Sequence, residues 1–348
     1  MSHSEDRILN MFGRDFAMMP AHEQKMSIEA AHSYWRHTGF PYPQLPRHEV
    51  EIEFDRLKRV SSANVIRAGQ AVHSTVGLRL ANSFHPQMWR VRLHGSSPLD
   101  RFEDDQSLRL ALRKAAQFWP NRRCWNAQCI RSVFRVLHRS RVANFRPTVA
   151  RALMERYSRD NDCVLDFSAG YGGRLLAALT LHRKYIGIDP ATDQIKGCAQ
   201  MIKDLAPLAV ARASLSQGCA EDILPRWPVN SFNLILSSPP YYDTERYSIE
   251  PDQSYLRYPD YVRWRNEFLA AVISESFRVL QKNAYLVINT ANVGIYPIAD
   301  DTVKLGNRIF GHKPTVIRML LPHLPARRAS ELGSNFKWEP IFVFKKSL

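Results

Sequence analysis

Two short runs hold the residues best suited to chemistry: Asp166-Phe167-Ser168-Ala169-Gly170-Tyr171-Gly172-Gly173 and Ser237-Ser238-Pro239-Pro240-Tyr241-Tyr242. In the first, Gly170, Gly172 and Gly173 have no Cβ, so the backbone can come close to a bound ligand. About twenty residues later Asp189, followed by Pro190, is placed to accept hydrogen bonds from ribose hydroxyls. The spacing G-x-G-G is not the dinucleotide fingerprint, and the Lys-Ser/Thr end of a phosphate loop is missing. In the second run, Pro239 and Pro240 cannot donate to a sheet ladder, so the apolar strand Phe232 to Leu236 must stop there. The residue before each proline is held extended. The result is a stiff, carbonyl-rich corner with an aromatic ring beyond it, suited to a flat, amino-bearing ring such as a nucleobase.

These runs need elements to hold them. Cys163 to Phe167 reads as a short buried strand entering the glycine loop, with the helix Arg174 to His182 leaving it. Tyr185 to Asp189 is a second strand ending in an acid. A helix-compatible stretch leads to Gly218-Cys219-Ala220-Glu221-Asp222 and then to the strand that ends in the double proline. Tyr258 to Leu280 reads as one long helix and Ala284 to Asn289 as a strand. Thr315 to Leu320 and Pro340 to Phe344 then pair as a terminal antiparallel hairpin. Strands alternating with helices at this spacing predict a doubly wound α/β sheet, whose carboxyl edge binds ligands.

The four segments DFSAGYGG, GIDP, GCAED and SSPPYY, in this order and spacing, resemble the class I S-adenosylmethionine-dependent methyltransferases. Among these they are similar to the DNA amino-methyltransferases. The Ser-Pro-Pro-Tyr form resembles the cytosine-N4 branch, and the longer run SSPPYYDTERYS looks like DNA methylases carried by phages and mobile elements. The resemblance covers roughly residues 143 to 346 and implies a Rossmann-like methyltransferase sheet with S-adenosylmethionine as cofactor. Phe145, Arg146, Pro147 and Thr148 resemble the motif that closes over the methionine end. Asp166, Phe167, Ser168, Ala169, Gly170 and Gly172 would form the loop beside it. Asp189 and Pro190 would hold the ribose, Glu221 or preferably Asp222 would lie by the adenine, and Ser237 would border the site. Ser238 and the Pro239 carbonyl, stiffened by Pro240, would accept hydrogen bonds from the target amine, with Tyr241 stacking on a base flipped from its helix.

The implied activity is direct methyl transfer to an exocyclic amine of a DNA base, cytosine N4 foremost. Adenine N6, RNA, a modified base or a protein glutamine are alternatives for the same site, and a catalytically silent nucleic-acid-binding module is a third reading. Carbon-5 cytosine methylation is disfavoured, because that family takes its thiolate from a Pro-Cys pair and no cysteine here follows a proline. The glycine loop and the double proline stand too close together for a recognition region between them. Recognition would therefore fall to residues 1–140, helped by the loop Asp243 to Arg257.

Composition agrees. Of 348 residues, 45% are apolar, as in a globular protein, and no apolar run approaches the roughly 20 residues that span a bilayer. The amino terminus lacks the order of a signal peptide. Five scattered cysteines fit a reducing compartment, here the cytoplasm of a bacterial or phage-infected cell. Cys124 and Cys129 have no second pair or histidines to complete a zinc site, and no metal is expected. The net charge of +15 favours a polyanionic partner, DNA, over a membrane. Residues 1–140 hold 21 Lys or Arg against 13 Asp or Glu, and the remainder 27 against 20, so charge does not single out either part.

The expected organisation is therefore a basic α+β region over 1–140, for nucleic-acid recognition, followed by a catalytic domain over 141–348. Within the first, Trp89 to Leu93 alternates as a strand, and Asp104 to Trp119 reads as a helix. Residues 121–147 interleave arginines with Trp125, Phe134 and Phe145, as a nucleic-acid groove or a solvated basic helix would.

Overall fold

Alternate residues of a strand point to opposite faces of a sheet, and in this chain both faces are buried. The computed structural model describes residues 8–92, 95–138, 143–244, 246–321 and 338–347. Nine strands form one sheet: β1 Ile66–Arg67, β2 Gln70–Ala71, β3 Cys163–Asp166, β4 Lys184–Asp189, β5 Arg212–Gln217, β6 Phe232–Ser237, β7 Leu280–Asn289, β8 Thr315–Leu320 and β9 Trp338–Lys345. Their order is β1-β2-β8-β9-β7-β6-β3-β4-β5. Strands β3 to β7 are mutually parallel, whereas β9 runs antiparallel to both β7 and β8. This is the doubly wound Rossmann-like sheet with a terminal antiparallel pair that the alternating pattern predicts.

The two faces follow from strand parity. Val164, Leu234, Leu236, Val287 and Val343 face one core with the helices Pro147–Tyr157 and Gly173–Leu179. Leu165, Ile235, Leu286, Ile288 and Phe344 face the other with the helices Ala270–Val279 and Ile298–Phe310. The chain reverses its strand order between β3 and β6, and there the carboxyl edge opens.

By contact density the chain divides into Met1–Gln44 with Pro86–Ala143, and Leu45–His85 with Asn144–Leu348. Residues 45–85, however, join the sheet-bearing unit, because β2 pairs with β8 and Phe54, Leu57, Leu80 and Ala81 fill its core. The first unit is helical among its described residues. Gly13–Met18, Ala21–Thr38, Pro98–Glu103, Asp105–Phe118 and Ala127–His138 enclose Phe16, Trp35, Leu108, Leu112, Trp125 and Phe134.

Three expectations are corrected. Residues 89 to 92 do not form a strand: Pro86–Arg90 is a 3-10 turn started by proline, and Trp89 is buried against Phe40, ring centroids 5.1 Å apart. Leu93 lies outside the described residues. The helix from Tyr258 is broken, because Pro259 has no N–H to continue the turn from Ser254–Arg257 and Asp260 restarts the helix by accepting from the Arg263 amide at 2.9 Å. A π-helical turn, Trp264–Leu269, then feeds Ala270–Val279. The strand placed at Ala284 starts at Leu280, its register shifting against β6 between Phe232 and Leu234. Among the described residues no helix is long and apolar enough to cross a membrane.

Candidate active site

At the carboxyl ends of β3 and β4 the glycine loop takes its shape from left-handed backbone at Gly170 (φ 55°) and Gly172 (φ 70°). The loop glycines have different reasons to be glycine. A Cβ on Gly173 would lie 2.0 Å from the Phe145 carbonyl oxygen, and one on Gly172 would meet Met201 Cε at 2.8 Å. On Gly170 it would meet only the Ser168 carbonyl oxygen, at 3.7 Å, so space for a ligand opens at Gly170 alone of the three. Gly172 serves packing against Met201, Cys198 and His85.

Asp166, at the end of β3, is fully buried. Its carboxylate accepts from Arg174 Nε (2.7 Å), Tyr185 Oη (2.8 Å), Ser237 Oγ (2.8 Å) and the Ser168 amide (3.2 Å). Arg174 also donates to the Ser168 carbonyl. Burial opposes the charge on Arg174, but Asp166 beside it prevails and holds the guanidinium above its ordinary pKa. Asp166 and Ser237 therefore spend their polar groups on each other. They tie the glycine loop to the double-proline corner rather than offering atoms to a ligand.

Asp189 closes β4. One carboxylate oxygen accepts from the Gly170 amide (2.8 Å) and the other from the Ala191 amide (2.9 Å), with Pro190 half-buried between. Burial pushes its pKa up to about 6, against the pull of those two amides. Each oxygen keeps a second lone pair, enough for a diol. Beyond β5, a cavity of about 390 Å³ is bordered by Gln217, Gly218, Cys219, Asp222, Ile223 and Asp252. Asp222 is half exposed and Glu221 deeply buried, its carboxyl raised by that burial. Both pair with Arg257, at 2.7 and 3.0 Å, and Tyr258 Oη donates to Glu221 at 3.0 Å.

The segment preceding the helix Pro147–Tyr157 straps the loop. Asn144 Nδ2 donates to the Tyr171 carbonyl (2.7 Å), and Asn144 Oδ1 accepts from the Gly173 amide (2.9 Å). The Arg174 guanidinium lies 5.3 Å from the Phe145 ring centroid. Arg146 turns away to the Leu320 carbonyl of β8, Pro147 opens the helix, and the Thr148 hydroxyl is buried without a partner. Phe167 and Ala169 are buried, and Ser168 is half-buried.

At the end of β6, Ser238 is half-buried, its hydroxyl 3.5 Å from Asn289 Oδ1, and Pro239 is buried while Pro240 is partly exposed. Tyr241 is 8% exposed and packs into the core with Tyr258, Trp264 and Phe268. Little of its ring is open as a stacking surface in this conformation. Tyr242 adopts φ 51°, stabilised by donation from its hydroxyl to the Pro259 carbonyl (2.7 Å). Residues 246–258 then run back past the glycine loop and the ends of β4 and β5. Tyr247 packs edge-on against Tyr171, Glu250 accepts from the Thr192 amide at 3.1 Å, and Cys219 Sγ donates to the Asp252 carbonyl.

The structure thus gathers the glycine loop, Asp189, Glu221, Asp222 and the Ser238 corner at one sheet edge, and leaves Arg146 and Thr148 off it. Sequence reasoning misses Asn144, Arg174, Glu250 and Arg257. Asn144 directly precedes the recognised Phe145 and was within reach, whereas Arg257 has no local signal. All five cysteines are free, and burial raises Cys219 to about 11 and Cys198 further, so neither is a ready thiolate.

No family model and no curated protein matches this chain. Among solved structures, the chain is similar to a precorrin-6y C5,15-methyltransferase from Geobacter metallireducens (12% identity, TM-score 0.39, covering 57% of this chain and 88% of that one). It is also similar to TrmN from Thermus thermophilus (14%, 0.37, 57% and 48%) and to the [4+2]-cyclase SpnF (12%, 0.39, 58% and 82%). These are likenesses of fold.

Proposed function

We propose that this chain methylates an exocyclic amine of a nucleobase in DNA, cytosine N4 foremost, with S-adenosylmethionine as donor. The observation that carries the reading is the shared edge. A glycine loop open at Gly170, and an acid two strands' ends away from a rigid Ser-Pro-Pro corner, are locked together through Asp166 and Ser237. The residues fit the cofactor. Asp189 has lone pairs left for ribose hydroxyls, the cavity beyond β5 has room for a purine, and Asn144 and Phe145 border the loop where the methionine end would lie.

The cofactor would supply an electrophilic methyl on a sulfonium, so the protein's task is positioning. An aromatic amine is a poor nucleophile because its lone pair is delocalised into the ring. Ser238 Oγ and the Pro239 carbonyl, held by a corner that cannot flex, would accept from the amine and favour the pyramidal nitrogen. Tyr241 would wall the ring's place. Glu221 and Asp222, with Arg257, would shape the adenine end.

The test is mass spectrometry of nucleosides from DNA, and in parallel RNA, incubated with the protein and S-adenosylmethionine. N4-methylcytosine is expected in DNA. Pro239→Ala with Tyr241→Ala should reduce it at least ~100-fold while calorimetric cofactor affinity stays near wild type. A methylated base in RNA alone would move the substrate, and loss of cofactor binding in that variant would give the corner another role.

A further inference from the structure

The helical unit holds a cavity of its own, about 440 Å³, bordered by Asn10, Tyr34, Trp35, Arg123, Asn126 and Ala127 among others. Its chemistry is one-sided. Trp35 is 3% exposed, and its indole N–H is buried without an acceptor among the described residues. A buried donor without a partner is an unfavourable feature unless something else supplies the acceptor.

Arg123 is exposed at the cavity, and its guanidinium makes no hydrogen bond or ion pair among the described residues. Arg109 and Arg36 of this unit, by contrast, are spent internally: Arg109 grips Glu29 with two nitrogens, and Arg36 bonds Asp105 and the Phe102 carbonyl. The helix Ala127–His138 begins at the cavity, its first turn capped by Asn126 Oδ1 accepting from the Cys129 amide. Among the described residues no carboxylate borders the cavity. Tyr34 and Trp35 meet edge to face, centroids 5.1 Å apart, and of the two Tyr34 is the partly exposed ring.

An unspent guanidinium at Arg123, a buried indole donor at Trp35 and the partly exposed ring of Tyr34 around one cavity match a planar ring bearing acceptors and joined to an anion. A cavity of this size holds a ligand of that kind. We propose that it takes one nucleotide of a nucleic-acid strand, with the base against Tyr34 and accepting from the Trp35 N–H, and the phosphate at Arg123 beside the helix's amino end. Phosphate contacts of this type position a strand, and aromatic contacts hold its bases. The inference rests on the reading above that the substrate is nucleic acid. Of the basic stretch 121–147 it uses Arg123, whereas Trp125 and Phe134, expected as stacking aromatics, are buried in the core of the helical unit.

The test uses the full chain with fluorescein-labelled oligonucleotides, single- and double-stranded, in anisotropy titrations at several salt concentrations. Trp35→Phe keeps an aromatic ring but removes the N–H, and Arg123→Gln changes an exposed residue whose loss leaves the core intact. Each should weaken oligonucleotide binding ~3–10-fold, with S-adenosylmethionine affinity unchanged. Arg123→Gln should also lower the slope of log affinity against log salt by about one phosphate's share. If wild type binds while both variants match it in affinity and slope, the cavity assignment is overturned and the methyltransferase reading stands. If wild type binds no oligonucleotide, the nucleic-acid reading falls first and this inference with it.

Discussion

Asp189 is a carboxylate held in a place that disfavours its charge, and a ligand donating hydrogen bonds would change that balance. Burial raises its pKa from the usual value near 3.8 to about 6. In the ligand-free protein the folded state therefore holds this proton more tightly than the unfolded chain. Its contribution to stability is full below about pH 4 and is lost as pH rises through about 6. Ribose hydroxyls can bond only to lone pairs, so their binding favours the ionised form and pulls the opposite way. S-adenosylmethionine affinity should be flat above about pH 7 and fall as pH drops through about 6. Asp189→Asn should flatten that profile and weaken binding by about 1–3 kcal/mol. Calorimetry across this range decides it, and a wild-type affinity indifferent to pH would remove Asp189 from the site. Asp166 plays a different part: four groups converge on it, so its worth is mechanical.

Among the elements, the segment 246–258 has the most contacts to explain. It starts just after the double-proline corner and touches the glycine loop through Tyr247, the helix Thr192–Leu205 through Glu250, and the end of β5 through Arg257 and Tyr258. It thereby connects the place proposed for the amine with the whole cofactor side. Its latches combine an aromatic contact at Tyr247, a hydrogen bond at Glu250 and a deeply buried pair at Glu221. Replacing Arg257 by Met should free Glu221 and Asp222 and raise the cofactor's dissociation rate ~3–10-fold, with a smaller effect on association. Stopped-flow displacement measures this directly, and an unchanged dissociation rate would make the pair a surface feature only. The strap also explains why the helix from Tyr258 is broken. A continuous helix would carry Tyr258 away from Glu221, and Pro259 prevents it.

For the whole molecule, the charge of +15 is carried by both parts of the chain. If the substrate is nucleic acid, raising salt from about 50 to about 200 mM should cut oligonucleotide affinity by about one to three orders of magnitude. S-adenosylmethionine affinity should hardly move. Salt-insensitive oligonucleotide binding would argue against phosphate contacts.

By itself the sequence determined the strands β3, β4, β6, β7, β8 and β9, the glycine loop and the double-proline stop, but not β1, β2 or β5. Each follows from periodicity, a missing Cβ or a missing N–H within a few residues. The tertiary structure alone decided that residues 45–85 extend the sheet, that Gly172 and Gly173 are required by packing, and that Tyr241 is largely enclosed. It also decided that Asp166 gathers Arg174, Tyr185 and Ser237. Such pairings depend on strand register and on which crossover packs over which loop, and neither is written in the local pattern of side chains.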